Sequence, residues 1–138
     1  MGEINRALGA SGAPIRLPIG DKTYLLEPLT KKVQGDFEEW LEERARRAAM
    51  SLKGVLPDRD YQKVLVGTVS DIAAGVYSFT SSAAQNSLGT VDGVSQLFLS
   101  MLRKHQPEME VDDVMTLLGS HGEEIIETIN GLVKQGKV

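Results

Sequence analysis

The stretch that decides the fold is residues 90–105, with the sequence TVDGVSQLFLSMLRKH. Thr90 can cap a helix, because its hydroxyl can accept a hydrogen bond from a backbone amide of the first turn. Apolar residues follow at three- and four-residue steps, which predicts an amphipathic helix. They are Val91, Val94, Phe98, Met101 and Leu102. Leu97 and Leu99 widen this apolar face beyond a single narrow stripe.

Two interpretations of the wide apolar face are open. The helix could lie at the centre of a bundle, or it could line an apolar groove that receives a helix from another protein. The last helix of the chain is similarly wide, because Ile125 and Ile126 are adjacent. The second interpretation predicts these partner-binding residues: Leu97, Phe98, Met101, Leu102, Met115 and Ile126.

The residues after this helix predict two further helices. Pro107 ends the wide helix, and apolar residues resume helical spacing over residues 111–118. The glycine-containing residues 119–122 predict a connector. A last helix is expected over residues 125–133, which again carry apolar residues at three- and four-residue steps.

Upstream of these helices, residues 15–29 predict a β-hairpin. Aliphatic residues alternate from Ile15 to Ile19, which places them on one face of a strand. Residues 20–22 supply the loop. Pro18 has no backbone N–H to donate, so we expect its strand at the edge of a sheet.

Two helices are expected between the hairpin and residue 90. Thr30 can cap a long helix that runs to residue 53, with one apolar and one charged face. A second apolar stripe predicts a helix over residues 58–79. The small polar residues 80–89 are expected to form the tail of this second helix and then a loop.

The predicted fold class is α+β and mainly α, with a short N-terminal β-hairpin followed by a bundle of about five helices. The 138 residues suit a single domain, which we place at residues 15–138. Residues 1–14 include the run GASGAP and are expected to form a flexible N-terminal tail.

Charge is distributed unevenly along the chain, whose formal net charge is −4. Residues 1–69 carry 11 Lys and Arg against 10 Asp and Glu, whereas residues 70–138 carry 4 against 9. This acidic balance argues against nucleic-acid binding, which needs clustered basic residues. No apolar run approaches the roughly 20 residues of a membrane span, so no membrane association is predicted.

The sequence contains few residues that could act in catalysis or bind a metal ion. The chain has no cysteine, and its two histidines, His105 and His121, stand in different predicted elements. His105 is expected to interact with the negative end of a helix. No cofactor-binding or metal-binding spacing is present, and no nucleophile motif surrounds any serine. The prediction is therefore a protein without catalytic residues, cofactor or metal, and not an enzyme.

Two segments carry a resemblance to a known family. The first is IRLPIGDKTYLLEPLT, residues 15–30, which leads directly into the long charged helix. The second is GTVDGVSQLFLSMLRKHQPEMEVDDVMTLLG, residues 89–119, with a short helix after it. Together they resemble the tail assembly chaperones of long-tailed bacteriophages and related prophage elements.

The resemblance implies a non-enzymatic function in the host bacterial cytoplasm. The implied partners are the tape measure protein, a long helical protein with apolar surface, and the tail tube protein, whose subunits such chaperones help to recruit. Self-association into a homo-oligomer is open as well. The alternative is a structural virion subunit, such as a head–tail connector or minor tail protein, and a third reading is a small host-directed regulatory or enzyme subunit.

Overall fold

The computed structural model describes residues 13–136 and confirms the predicted fold class. Within those residues, a two-stranded antiparallel hairpin precedes five helices. The strands are β1 (Ile15–Ile19) and β2 (Lys22–Leu26). The helices are α1 (Lys31–Met50), α2 (Asp58–Ala73), α3 (Ser82–Ser87), α4 (Val91–Leu102) and α5 (Val111–Gly136). Most of the tail predicted for residues 1–14 lies outside the described residues.

The helix α4 is the centre of the fold. Nine of its twelve residues are buried, because α5, α1, α3 and β2 all pack against it. Thr90 caps it as predicted, with its Oγ1 accepting a hydrogen bond of 3.1 Å from the Gly93 amide. The wide apolar face is therefore the interior of the domain, which confirms the first of the two interpretations.

The hairpin packs on this core through one face. Leu17, Ile19 and Leu26 are buried, and a tight turn at Gly20 and Asp21 joins the strands. Gly20 has a φ of 63°, a left-handed conformation that glycine adopts without steric cost. Pro18 pairs with Thr23 in the only described sheet, so β1 is an edge strand as predicted.

The other edge of the hairpin is covered by residues at the end of α4. The side-chain amide of Gln106 accepts a hydrogen bond of 3.1 Å from the Leu25 N–H and donates one of 2.9 Å to the Leu25 carbonyl. The Glu27 N–H donates to the Met101 carbonyl at 2.7 Å. In an antiparallel strand, the backbone N–H and C=O groups of alternate residues point to opposite sides of the strand. The bonds to Gln106 and Met101 therefore pair groups on the side of β2 that faces away from β1, where a third strand would otherwise bind.

Several helix bounds differ from the prediction, and α1 ends at Met50 rather than at residue 53. The helix α2 ends at Ala73, and the predicted stripe member Phe79 lies in the segment after it, in edge contact with Phe37 at 5.9 Å between ring centroids. Residues 82–87 form the separate short helix α3, where the tail of the second helix and then a loop were predicted. Ser81 begins α3, because its hydroxyl accepts a hydrogen bond from the Ala84 amide at 3.1 Å.

The connector predicted for residues 119–122 is a kink inside α5. The helix continues through this region, and only His121 departs from helical geometry, with φ −134° and ψ 32°. A side chain on Gly20 would contact the His121 imidazole, so the kink lies beside the turn of the hairpin. The two predicted short helices are thus the two arms of α5.

Replacement of the amide that covers β2 tests its contribution to stability. We expect Gln106→Ala to lower the free energy of unfolding by about 1–3 kcal/mol, because the Leu25 backbone groups lose their partners. Chemical denaturation followed by circular dichroism measures this change. Gln62→Ala, at an exposed position of α2, is the matched control and should change stability by less than about 0.5 kcal/mol. Equal losses of stability in the two variants would contradict the stabilising role of the Gln106 side chain.

A charge at the centre of the fold tests the assignment of α4 as core. We expect Leu102→Asp to unfold the domain, because Leu102 is fully buried and an unpaired carboxylate there costs several kcal/mol. Loss of the helical circular dichroism spectrum is the expected result. A folded Leu102→Asp protein that has only lost partner binding would instead place this side chain in a groove.

Candidate partner-binding groove

The structure separates the six predicted partner-binding residues into two groups. Leu97, Phe98, Met101 and Leu102 have no exposed surface, because the surrounding helices and the hairpin enclose α4. The expectation that these four line an exposed groove is wrong for this conformation. The wide apolar face that these four residues form packs against other buried residues in the core of the domain.

Met115 and Ile126 are the two predicted residues that reach the surface. Their exposed fractions are 38% and 41%, and they lie on different arms of α5, before and after His121. Ile126 lines a groove, whereas Met115 lines none of the described clefts. Binding of a partner by either residue stays a prediction.

The groove at Ile126 runs between α5 and the junction of α3 with α4, and we call it the α4–α5 groove. Its volume is about 440 Å³. All the residues that line it are uncharged, and aliphatic side chains contribute most of its larger groups. They are Gln85, Leu88, Gly89, Thr90, Val91, Val94, Leu118, Gly122, Ile126 and Asn130.

One wall of the groove depends on a close approach between α3 and α4. A Cβ atom on Gly93 would collide with the backbone carbonyl of Ser87, so only glycine fits at this position. Thr90 joins the same two segments, since its hydroxyl donates to the Ser87 carbonyl at 2.6 Å and accepts from the Gly93 amide. The motif GTVDG therefore sets the path of the chain along this wall.

The opposite wall is formed by the two arms of α5. Leu118 comes from the first arm, and Ile126 and Asn130 come from the second. Gly122 lines the groove directly after the kink at His121 and contributes no side chain there. The kink thus lets both arms border one depression.

The residues that neighbour the lining residues in the chain are mostly acidic, with Lys134, one helical turn after Asn130, as an exception. Asp92 follows the lining residue Val91, and Glu123 and Glu127 flank Ile126 on the exposed side of α5. None of these three carboxylates forms an ion pair within residues 13–136. An uncharged apolar floor with an acidic border favours a segment that presents apolar side chains beside Lys or Arg.

The structure places His105 in a contact that the sequence did not predict. Its Nε2 lies 3.4 Å from Oε2 of Glu27, and the neighbouring Lys104 Nζ lies 3.6 Å from Oε1 of the same carboxylate. Both contacts join the end of β2 to the end of α4. The Glu27 and His105 side chains are mostly buried, so this contact lies inside the interface between the hairpin and the end of α4.

The largest described cleft has a mixed character. It lies between α1 and α4 with a volume of about 750 Å³, and both acidic and basic side chains line it, among them Asp36, Glu39, Lys32 and Arg103. Within residues 13–136, no group of three or more His, Asp or Glu side chains could hold a metal ion. The α4–α5 groove therefore differs from this cleft in that no charged residue lines it.

One wall of the groove comes from a segment of the sequence that has an unusually small number of charged residues. Between Lys63 and Asp92 the only charged residue is Asp71, and the second half of this run supplies Gln85, Leu88 and Val91. A surface segment without charges is unusual unless it contacts something. Asn130 gave no comparable signal, because a single polar residue on a helix is ordinary.

Comparison of the chain with protein-family models, with curated proteins and with solved structures finds no match. None of the helices in residues 13–136 combines the length and the apolar character that a membrane crossing requires.

The close approach at Gly93 can be tested by adding one methyl group. We expect Gly93→Ala to destabilise the domain by about 1–3 kcal/mol or more, because the new Cβ meets backbone that must move. Gly119→Ala is the matched control within α5. It meets no atom within 4 Å, so we expect it to stabilise the domain by about 0.5–1 kcal/mol. Thermal unfolding that ranks the two variants in the reverse order would contradict the described α3–α4 junction.

Proposed function

We propose that this protein is a non-enzymatic tail assembly chaperone of a long-tailed bacteriophage or related prophage element. In this proposal the α4–α5 groove binds an apolar helical segment of the tape measure protein. The observation that carries the proposal is the uncharged lining of the groove, with Ile126 41% exposed beside unpaired acidic residues. The resemblance of residues 15–30 and 89–119 to such chaperones supports the same function.

The physical basis is the protection of apolar helical surface. A long amphipathic helix aggregates when its apolar side is exposed to water. A groove lined by Val91, Leu118 and Ile126 can cover part of that side, and helix-in-groove recognition uses such linings. The negative net charge, which comes entirely from residues 70–138, keeps the bound pair soluble.

The cellular setting follows from the same proposal. Binding takes place in the host bacterial cytoplasm before the tail is complete, and the bound chaperone helps to recruit tail tube subunits around the tape measure protein. The direct test of this setting is the composition of purified virions. Absence of this chain supports an assembly factor, whereas stoichiometric presence would identify a structural subunit, such as a head–tail connector or minor tail protein.

A charge placed in the groove tests the binding site. We expect Ile126→Asp to lower the affinity for a tape measure fragment at least tenfold, because the carboxylate must lose water in an apolar, acidic site. The domain should stay folded, since Ile126 is already partly exposed. Isothermal titration calorimetry measures the affinity, and circular dichroism measures the fold.

The control for this test is Val55→Asp. Val55 is 73% exposed in the connection between α1 and α2, and it does not line the groove. We expect this variant to bind within about twofold of the unmodified protein. Equal loss of affinity in both variants would rule out the α4–α5 groove as the specific site, and full binding by both would place the tape measure contact elsewhere.

A further inference from the structure

Three polar side chains line the α4–α5 groove, and they are Gln85, Thr90 and Asn130. Each can contact a polar group of a bound segment, and such a group needs a hydrogen-bond partner when binding removes it from water. Gln85 and Thr90 already form hydrogen bonds with the backbone of the domain. What these two side chains still offer to the groove depends on those bonds.

The side-chain amide of Gln85 is held in one orientation. Its Nε2 donates a hydrogen bond of 2.9 Å to the backbone carbonyl of Phe79. A carbonyl oxygen only accepts, so the nitrogen must be the end of the amide that faces Phe79. The oxygen, Oε1, is then the end that is left for the groove, which Gln85 lines.

Thr90 is restrained in a similar way. Its hydroxyl donates to the Ser87 carbonyl at 2.6 Å and accepts from the Gly93 amide at 3.1 Å. A hydroxyl has one hydrogen to donate and two lone pairs that accept. The donor of Thr90 is therefore used inside the domain, and an acceptor position is left. Gln85 and Thr90 thus both offer acceptors to the groove.

Acceptors also predominate among the neighbouring residues. Asp92, Glu123 and Glu127 are adjacent in the chain to lining residues, and none of them forms an ion pair within residues 13–136. Asn130 carries both a donor and an acceptor, and Lys134 supplies a donor one helical turn later. The two restrained side chains and the three carboxylates all accept, so a donor on the bound segment is their complement.

The orientation of Gln85 depends in turn on α1. The Phe79 N–H donates a hydrogen bond of 2.6 Å to Oε2 of Glu38, and the Phe79 ring packs edge-on against Phe37. These two contacts with α1 hold the residue whose carbonyl receives the Gln85 amide. Glu38 does not line the groove, so any effect it has there passes through Phe79.

We propose that Gln85 is a specificity-determining residue of the α4–α5 groove, and that its Oε1 accepts a hydrogen bond from a donor side chain of the bound helical segment. Glu38 is the positioning residue, which holds Gln85 through Phe79. The segment then combines aliphatic side chains with an adjacent donor, either a carboxamide or an ammonium group. The role of Gln85 rests on the proposed function, since it concerns the segment that binds in the same groove.

Three designed peptides test for the donor. Each is a four-turn amphipathic helix with a leucine face, and Lys residues on the opposite face keep it soluble. The leucines are flanked by Gln, by Lys or by Met, whose side chain is similar in size to that of Gln but has no N–H group. We expect the Gln and Lys peptides to bind the full chain with dissociation constants of about 1–100 μM.

Removal of the Gln85 amide should affect only the peptides that carry a donor. We expect Gln85→Met to weaken the Gln and Lys peptides about threefold to tenfold, which corresponds to one hydrogen bond. The Met peptide should change by less than about twofold. The donor peptide that loses more affinity identifies the preferred donor, and either result supports the role of Gln85. Gln85→Ala removes the same amide without adding bulk and should give the same result.

The matched control is Gln62→Met, at an exposed position of α2. It makes the same chemical change far from the lining residues, so it should leave the affinity for all three peptides within about twofold. Isothermal titration calorimetry measures the affinities, and circular dichroism verifies that each variant is folded.

The positioning role of Glu38 is tested by rescue and by coupling. We expect Glu38→Ala to weaken the Gln peptide about twofold to fivefold, because the Phe79 N–H loses its acceptor. Glu38→Gln should bind as the unmodified chain does, since its amide oxygen also accepts. In a chain that already carries Gln85→Met, Glu38→Ala should have no further effect on affinity. A merely structural role would weaken the Gln and Met peptides equally.

Three results would overturn the proposal. The first is an equal loss of affinity for the Gln and Met peptides in Gln85→Met, and the second is no loss for either donor peptide. The third is additive losses from Glu38→Ala and Gln85→Met. If Ile126→Asp abolishes binding while Gln85→Met changes nothing, the groove is the site and only the role of Gln85 is wrong. If Ile126→Asp changes nothing, the groove itself is wrong.

Discussion

Burial of the apolar surface of α4 is the interaction on which the rest of the structure depends. Phe98, Leu97, Met101 and Leu102 are fully enclosed, and each such side chain contributes about 1.5–3 kcal/mol when it leaves water. The remaining elements supply the walls of this enclosure: α1 and the hairpin on one side, and α5 on the other. The hairpin is too small to be stable alone, so its place is determined by Gln106 and Met101 at the end of α4.

The candidate groove arises where this enclosure is incomplete. The α4–α5 groove forms because Gly93 lets α3 approach α4, while the kink at His121 turns the second arm of α5. Elsewhere, α2 makes most of its contacts with α1, and Tyr61 is the only buried residue of this helix.

Periodicity predicted the elements that have strong local signals. Thr30 and Thr90 begin their helices as expected, and the alternation from Ile15 to Ile19 marks β1 correctly. Predictions failed where local and distant contacts compete. The stripe from Tyr61 to Phe79 suggested one helix, but Phe79 leaves it to pack against Phe37, and the Glu38 carboxylate accepts a hydrogen bond from the Phe79 amide at 2.6 Å.

The sequence by itself determined the fold class, the helix caps, the acidic second half and the excess of apolar residues around Leu97–Leu102. Those properties depend on neighbours three or four residues away, or on composition alone. Only the tertiary structure decided which apolar residues are inside. Leu102 and Ile126 look alike as members of apolar stripes, yet one is enclosed and the other borders a groove. That difference depends on the packing of helices distant in the chain, which no local pattern records.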